Sequence, residues 1–183
     1  MPHEPRPVLR AEPTARIGLF SQAPGIRAHD AGLPFKDPSG VRLRGWMGVD
    51  ESEFYDAGKI AIVPMGFCFP GYDAKGGDLP PRRECAAAWR TRLMQHLPRL
   101  ELVLLVGGYA QKWHLPEARR RSLTDTVRDW RSFYEREDGQ LRYLPLPHPS
   151  WRNSFWLKAN PWFEAEVLPV LRNEVRRLIG ADN

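Results

Sequence analysis

The chain has 183 residues, 42% of them hydrophobic, and a formal net charge of +5. This length predicts one domain with a sizeable core, and no stretch approaches the roughly 20 apolar residues of a membrane span. The N-terminus lacks the apolar segment of a secretory signal. Without such a signal, two cysteines favour a reducing, cytoplasmic setting over a disulfide scaffold. The positive charge permits a polyanionic partner but does not establish one.

The first half of the chain predicts two strands and one helix. Residues 1–15 are rich in Pro and Arg and predict a loosely held arm before a single domain over 16–183. The apolar run Ile17–Phe20 predicts a strand, and the stretch 24–40, dense in Pro and Gly, predicts a long loop. An amphipathic helix is predicted over 41–55 and a short buried strand over 60–63.

The second half continues the alternation of strands and helices. Further elements are predicted at 83–97 (helix), Leu102–Val106 (strand), 122–134 (helix) and Arg142–Leu146 (strand). Asn160 as cap and Pro161 in the first turn predict the start of the last helix, which Pro169 should kink or restart. Alternating strands and helices predict a three-layer α/β/α sandwich with a central four-stranded parallel sheet.

Two short motifs follow predicted strands about 125 residues apart. Ser21-Gln22-Ala23-Pro24-Gly25 comes directly after the first strand, and His148-Pro149-Ser150 comes after the fourth. Loops at the carboxyl ends of parallel strands line the ligand crevice of such sheets. We therefore expect these two loops to face each other across one pocket.

The order of these motifs resembles the uracil-DNA glycosylase superfamily, most closely its small iron–sulfur branch. That branch carries Gly-Glu-Ala-Pro-Gly where this chain has residues 21–25, and Gly-x-Pro-Phe where it has Gly32-Leu33-Pro34-Phe35. The third strand and His148-Pro149-Ser150 fit the same order. The resemblance covers roughly residues 17–150. It implies a monomer that acts on DNA, in base excision repair, with no membrane partner.

The resemblance assigns roles to residues on both sides of the pocket. Phe35 would stack on a base flipped from the DNA, backbone N–H groups of Gln22 and Ala23 would contact it, and His148 would donate to its O2. Relatives read uracil with an Asn at the end of the second strand, where this chain has Pro64-Met65-Gly66. Met65 and Gly66 would still border the base, but without that Asn we expect a pocket that is not strictly selective for uracil.

The loop after His148 is expected to press into the duplex. Relatives insert an apolar or Arg wedge here, so the resemblance implies a DNA-binding loop of Ser150, Trp151, Arg152 and Asn153. An aromatic cluster continues beyond it. From that cluster we expect Phe155 and Trp162 to pack the last helix against the sheet.

The residue that holds the attacking water in relatives is missing from the first motif of this chain. Relatives hold this water with Asp, Asn or Glu in the first motif, and this chain has Gln22-Ala23 there. The Gln22 carbonyl can orient water but cannot take its proton. His29 and Asp30, a few residues later, are the other candidates.

The cysteines do not complete a metal cluster. Cys68 and Cys85 stand where the iron–sulfur branch has its later pair of ligands, and no cysteine lies upstream of Ile17. Four thiolates normally hold such a cluster, so we predict no metal and no cofactor.

Two functions follow from these patterns. The first is a DNA glycosylase for uracil and other deaminated bases that leaves an abasic site. It would be monofunctional, because no lysine matches the position of a Schiff-base nucleophile. The second is a non-catalytic homologue that binds nucleotide or DNA. A generic nucleotide-binding enzyme is disfavoured, since neither a dinucleotide-binding glycine motif nor a P-loop is present.

Overall fold

A computed structural model describes residues 4–135 and 140–180 of the chain. A four-stranded sheet is made of β1 (Ile17–Phe20), β2 (Ile60–Ile62), β3 (Leu102–Val106) and β4 (Arg142–Leu146). All neighbours are parallel and the spatial order is β2-β1-β3-β4. This confirms the predicted parallel sheet and its strands.

Helices cover both faces of the sheet. They are α1 (Ile26–Ala31), α2 (Pro38–Met47), α3 (Glu51–Phe54), α4 (Arg83–Gln95), α5 (Gly108–His114), α6 (Leu123–Arg128), α7 (Trp130–Tyr134), α8 (Ser154–Ala159) and α9 (Leu168–Ile179). Side chains of α2, α3 and α9 pack on one face, and side chains of α4 and α5 pack on the other. Because both faces are covered, β1, β2 and β3 are continuous buried apolar runs, whereas β4 begins with the half-buried Arg142 and Tyr143. The three-layer α/β/α class is thus confirmed.

The region before β2 departs from the sequence prediction in two ways. The stretch predicted as a long loop contains α1 and the first turn of α2, which Asp37 caps by accepting from the Gly40 N–H at 3.0 Å. The helix predicted over 41–55 is two helices, because Gly48 takes a left-handed conformation (φ 68°) and Asp50 caps a new one. Apolar periodicity does not reveal such a break, since buried residues continue in phase across it.

The last helix also begins differently. A π-helical segment, Phe163–Val167, leads into α9. The Asn160 side chain accepts from the Trp162 indole and donates to the Trp156 carbonyl instead of capping the helix. Pro169 lies in the first turn of α9, which confirms the predicted restart.

The segment before β1 is attached to the sheet rather than loosely held. Arg10 forms an antiparallel bridge with Ile62 on the outer side of β2, and the Val8 N–H donates to the Phe67 carbonyl at 2.7 Å. Val8 and Ala15 are buried. Within the described residues, no helix has the length and apolarity needed to cross a bilayer.

Candidate active site

A cavity of about 690 Å³ opens at the carboxyl end of the sheet. A residue from beyond the end of every strand lines it: Ser21 after β1, Pro64 after β2, Tyr109 after β3 and His148 after β4. The strand order reverses between β1 and β3, where an open parallel sheet forms its crevice. The sheet therefore builds this pocket from all its strand-end loops.

The cavity brings together most of the residues that the sequence singled out. Those that line it are Gln22, Ala23, Phe35, His148, Ser150, Trp151, Arg152 and Asn153. The two motifs predicted to face one pocket thus share one cavity.

Four of the sequence candidates do not line the cavity. His29 and Asp30 lie on α1, and His29 packs its ring near Phe69 at 6.1 Å between centroids. Because residues 26–31 form a helix rather than a loop, α1 turns Arg27 and Ala28 to the cavity wall instead. Met65 and Gly66 are buried, and their N–H groups donate to the carbonyls of Ser21 and Gln22 at 2.8 Å. These two residues hold the first motif in place from outside the lining.

His148 is held in one tautomer. The Ser150 N–H donates to Nδ1 of His148 at 3.2 Å, so the proton of the neutral ring is on Nε2. Burial lowers the pKa of His148, and the neighbouring Asp37 carboxylate offsets part of that shift. The Asn153 amide donates to the His148 carbonyl at 2.7 Å. The result is a neutral imidazole with one N–H left to donate.

The floor beneath His148 depends on β3 and β4. Gly107 has φ 83° and donates to the Leu146 carbonyl at 2.9 Å. The buried Gln111 amide donates to the carbonyls of Leu105 and Leu146, at 3.2 and 2.9 Å. A Cβ on Gly107 would lie 3.7 Å from Cβ of His148. The histidine therefore lies against a fixed backbone surface.

Phe35, which also lines the cavity, has an uncommon backbone conformation. Its φ is 57°, the one positive value outside glycine among the described residues. For a non-glycine residue this conformation costs on the order of 1–3 kcal/mol and is typical of functional sites. The ring is buried and contacts Phe54 edge-on at 6.2 Å. Gly40 permits the turn, because a Cβ there would lie 1.9 Å from the Phe35 carbonyl oxygen.

A buried arginine supports the wall that β2 contributes. Arg90 of α4 is 3% exposed, donates to the carbonyls of Val63 and Pro64, and lies 4.6 Å from the Phe20 ring centroid. Burial lowers its pKa to about 10, so it stays charged at neutral pH. It satisfies the carbonyls left free where β2 ends.

Two carboxylates and a tyrosine line the cavity without having been singled out from sequence. Asp37 caps α2, Asp78 lies in the loop after β2, and Tyr109 is the second residue of α5. Burial raises the pKa of Asp78, as does Asp37, whereas Arg152 opposes the rise. Of these, only Tyr109 could have been found, because Gly107-Gly108 marks a strand end.

The loop after His148 is braced from α2. Arg42 donates to the Ser150 carbonyl at 3.0 Å and to the Ser154 hydroxyl at 3.3 Å. Trp162 is partly buried and packs against the core formed by strand and α9 residues, as predicted. The prediction for Phe155 is wrong: it is 82% exposed. Trp156 supplies the anchor instead, since its indole N–H donates to Thr124 Oγ1 at 2.8 Å.

The cysteines lie apart from the cavity lining. Both are half-buried, burial raises the pKa of Cys68, and the Phe67 N–H donates to Cys85 Sγ at 3.4 Å. The chain has two thiols where an iron–sulfur cluster takes four. The donor set therefore does not fit such a cluster.

Comparison with known families agrees with this geometry. Residues 10–172 match the family model of the uracil DNA glycosylase superfamily. The chain belongs to this superfamily. The match includes all four strands and every residue that lines the cavity, so the superfamily assignment covers the whole candidate site.

Proposed function

We propose that this protein is a DNA glycosylase that hydrolyses the N-glycosidic bond of uracil, and of other deaminated bases, to leave an abasic site in base excision repair. The observation that carries this proposal is the neutral His148, which shares one cavity with Phe35 and the first motif. Superfamily membership supports it.

Phe35 and His148 have different roles in the proposed reaction. A flipped base would stack on Phe35, and the Nε2–H of His148 would donate to its O2. As the glycosidic bond breaks, its electron pair moves to the base and negative charge grows on that oxygen. A fixed donor in a partly dry site stabilises this charge most. Because charge grows on O2 as the bond breaks, the hydrogen bond from Nε2–H is stronger in the transition state than with the uncharged base.

We propose that Asp37 and Gln22 hold the attacking water. Both line the cavity, and the Gly40 N–H fixes one oxygen of the Asp37 carboxylate. A positioned carboxylate can take the proton from the water as it adds to C1′ of the sugar. His29 and Asp30 lie on α1 outside the lining, so the proposal gives the water to Asp37 and Gln22 instead.

The proposed product is an intact abasic site. No lysine is among the described residues that line the cavity, so nothing there supplies a Schiff-base nucleophile. No metal or cofactor enters the proposed step, which stays a prediction.

A cleavage assay tests this function. Labelled oligonucleotides with one uracil, hypoxanthine or xanthine are incubated with enzyme in excess and then treated with alkali. We expect uracil release, with strand cleavage only after alkali. If no base is released but DNA is bound tightly, the protein is the non-catalytic binding homologue instead.

A further inference from the structure

Two aromatic side chains project into solvent beside the cavity. Trp151 is 74% exposed and Phe155 is 82% exposed, the two highest values among the large hydrophobic side chains described. Trp151 begins a short 3₁₀ turn that runs into α8, which contains Phe155. The two residues are four positions apart in the chain. Two strongly exposed aromatic side chains on one short segment beside a cavity indicate an interaction site.

The segment that carries these rings is held firmly. Trp156, the residue after Phe155, packs edge-on against the buried Phe163 at 5.8 Å between ring centroids. Its indole N–H donates to the Thr124 hydroxyl. Arg42 fixes the start of the segment at Ser150 and Ser154. Exposure of the two rings is therefore a property of an anchored surface. A rigid aromatic surface binds a flat partner at low cost in side-chain entropy.

The charge around this surface fits a nucleic-acid strand. Arg152 lies between the two rings in sequence and lines the cavity with Trp151, and Lys158 follows on α8 and is exposed. A strand whose flipped nucleotide occupies the cavity would leave its next bases beside Trp151. Aromatic faces that alternate with cations are the usual construction of a single-strand binding groove.

We propose that Trp151 and Phe155 form a stacking platform for the unpaired bases that flank the flipped nucleotide, and that the protein prefers single-stranded DNA to duplex. This inference rests on the proposed function. In duplex DNA the flanking bases are already stacked on one another, so the platform gains a contact only where the helix opens. In a single strand each base on an aromatic ring contributes about 5- to 150-fold in affinity.

Equilibrium binding to labelled oligonucleotides tests the platform. The probes are a 15-nucleotide oligothymidine without uracil and a duplex of the same length. The variants are Trp151→Ala and Phe155→Ala. The matched controls are Trp89→Ala and Trp113→Ala, because these tryptophans are 46% and 41% exposed and lie outside the cavity lining. Phe155→Tyr keeps an aromatic face and is expected to retain the affinity of the unaltered protein.

We expect the unaltered protein to bind the single strand at least about tenfold more tightly than the duplex. Each platform variant should bind the single strand about 5- to 150-fold more weakly than the unaltered protein does, and its affinity for the duplex should change little. Both controls should bind as the unaltered protein does. Thermal unfolding should be unchanged in Phe155→Ala, because the ring is in solvent.

Several outcomes would overturn the platform. One is equal or tighter binding of duplex, and another is unchanged single-strand affinity in Phe155→Ala. A third is sedimentation that shows a dimer which Phe155→Ala dissociates, since the surface would then join two copies. If uracil is excised while Phe155→Ala binds normally, the platform fails and the glycosylase stands. If no base is excised while Phe155→Ala loses single-strand binding, the glycosylase fails and the platform stands.

Discussion

The backbone N–H of Ser150 donates to Nδ1 of His148 across 3.2 Å. This contact fixes which nitrogen of the imidazole carries the proton, two residues upstream in the same loop. Ser150 makes a second hydrogen bond. Its side-chain hydroxyl accepts from the Arg152 N–H at 3.1 Å and closes the short turn that follows. The proposed leaving-group donor and the proposed DNA-binding loop are therefore linked through Ser150.

The lowered pKa of His148 gives a pH prediction. The ordinary value is 6.5, and burial places the folded value below it. The unfolded chain therefore takes up this proton at a higher pH than the folded protein does. Stability from the neutral histidine is present above pH 6.5 and is lost as the pH falls through the folded value. An NMR titration, with His148→Gln to assign the signal, should give a midpoint below 6.5. A midpoint at or above 6.5 would contradict the neutral donor.

Asp37→Asn should separate catalysis from capping. Asn caps a helix about as well as Asp, so the free energy of unfolding should change by less than about 0.5 kcal/mol. The single-turnover rate should fall at least about 100-fold, since the amide cannot take a proton from water. Asp78→Asn is the comparison within the same cavity. If Asp78→Asn lowers the single-turnover rate of base release and Asp37→Asn does not, Asp78 holds the water.

Gly40→Ala should disturb Phe35. The new Cβ would lie 1.9 Å from the Phe35 carbonyl oxygen, so the turn must shift and the ring with it. We expect the free energy of unfolding, measured with urea, to fall by about 1–3 kcal/mol, and the rate of base release to fall as well. Gly45→Ala is the control on the same helix, since nothing lies within 4 Å of its Cβ. Gly45→Ala should keep its activity, and its free energy of unfolding should rise by about 0.5–1 kcal/mol.

The pocket should accept more than one base. The N–H groups of Met65 and Gly66 are already engaged with the first motif, and that loop offers no amide side chain to read uracil. Loss of one bidentate contact costs about 1–3 kcal/mol of discrimination. Hypoxanthine or xanthine release should thus be detectable beside uracil release. Activity on uracil alone over about a thousandfold range would show that another group reads the base.

Three of the four strands could be predicted from sequence because they are buried apolar runs, and β4 because its last three residues are. The walls of the cavity followed from the loops at the strand ends. Phe155 and Trp156 show where sequence falls short. Adjacent aromatics on a short helix point to different sides, and composition does not say which side meets the core. Asp37 was missed for a similar reason. Its place in the cavity depends on α2 beginning before the apolar pattern does.

Single-turnover base release by His148→Ala, beside Arg152→Ala, tests the central claim most directly. With uracil-containing DNA saturated by enzyme, His148→Ala should lower the rate about 10²–10³-fold with little change in affinity. Arg152→Ala should weaken DNA binding and flatten its salt dependence while the saturated rate stays near that of the unaltered protein. If His148→Ala releases uracil at the unaltered rate, His148 is structural and the proposed mechanism is wrong.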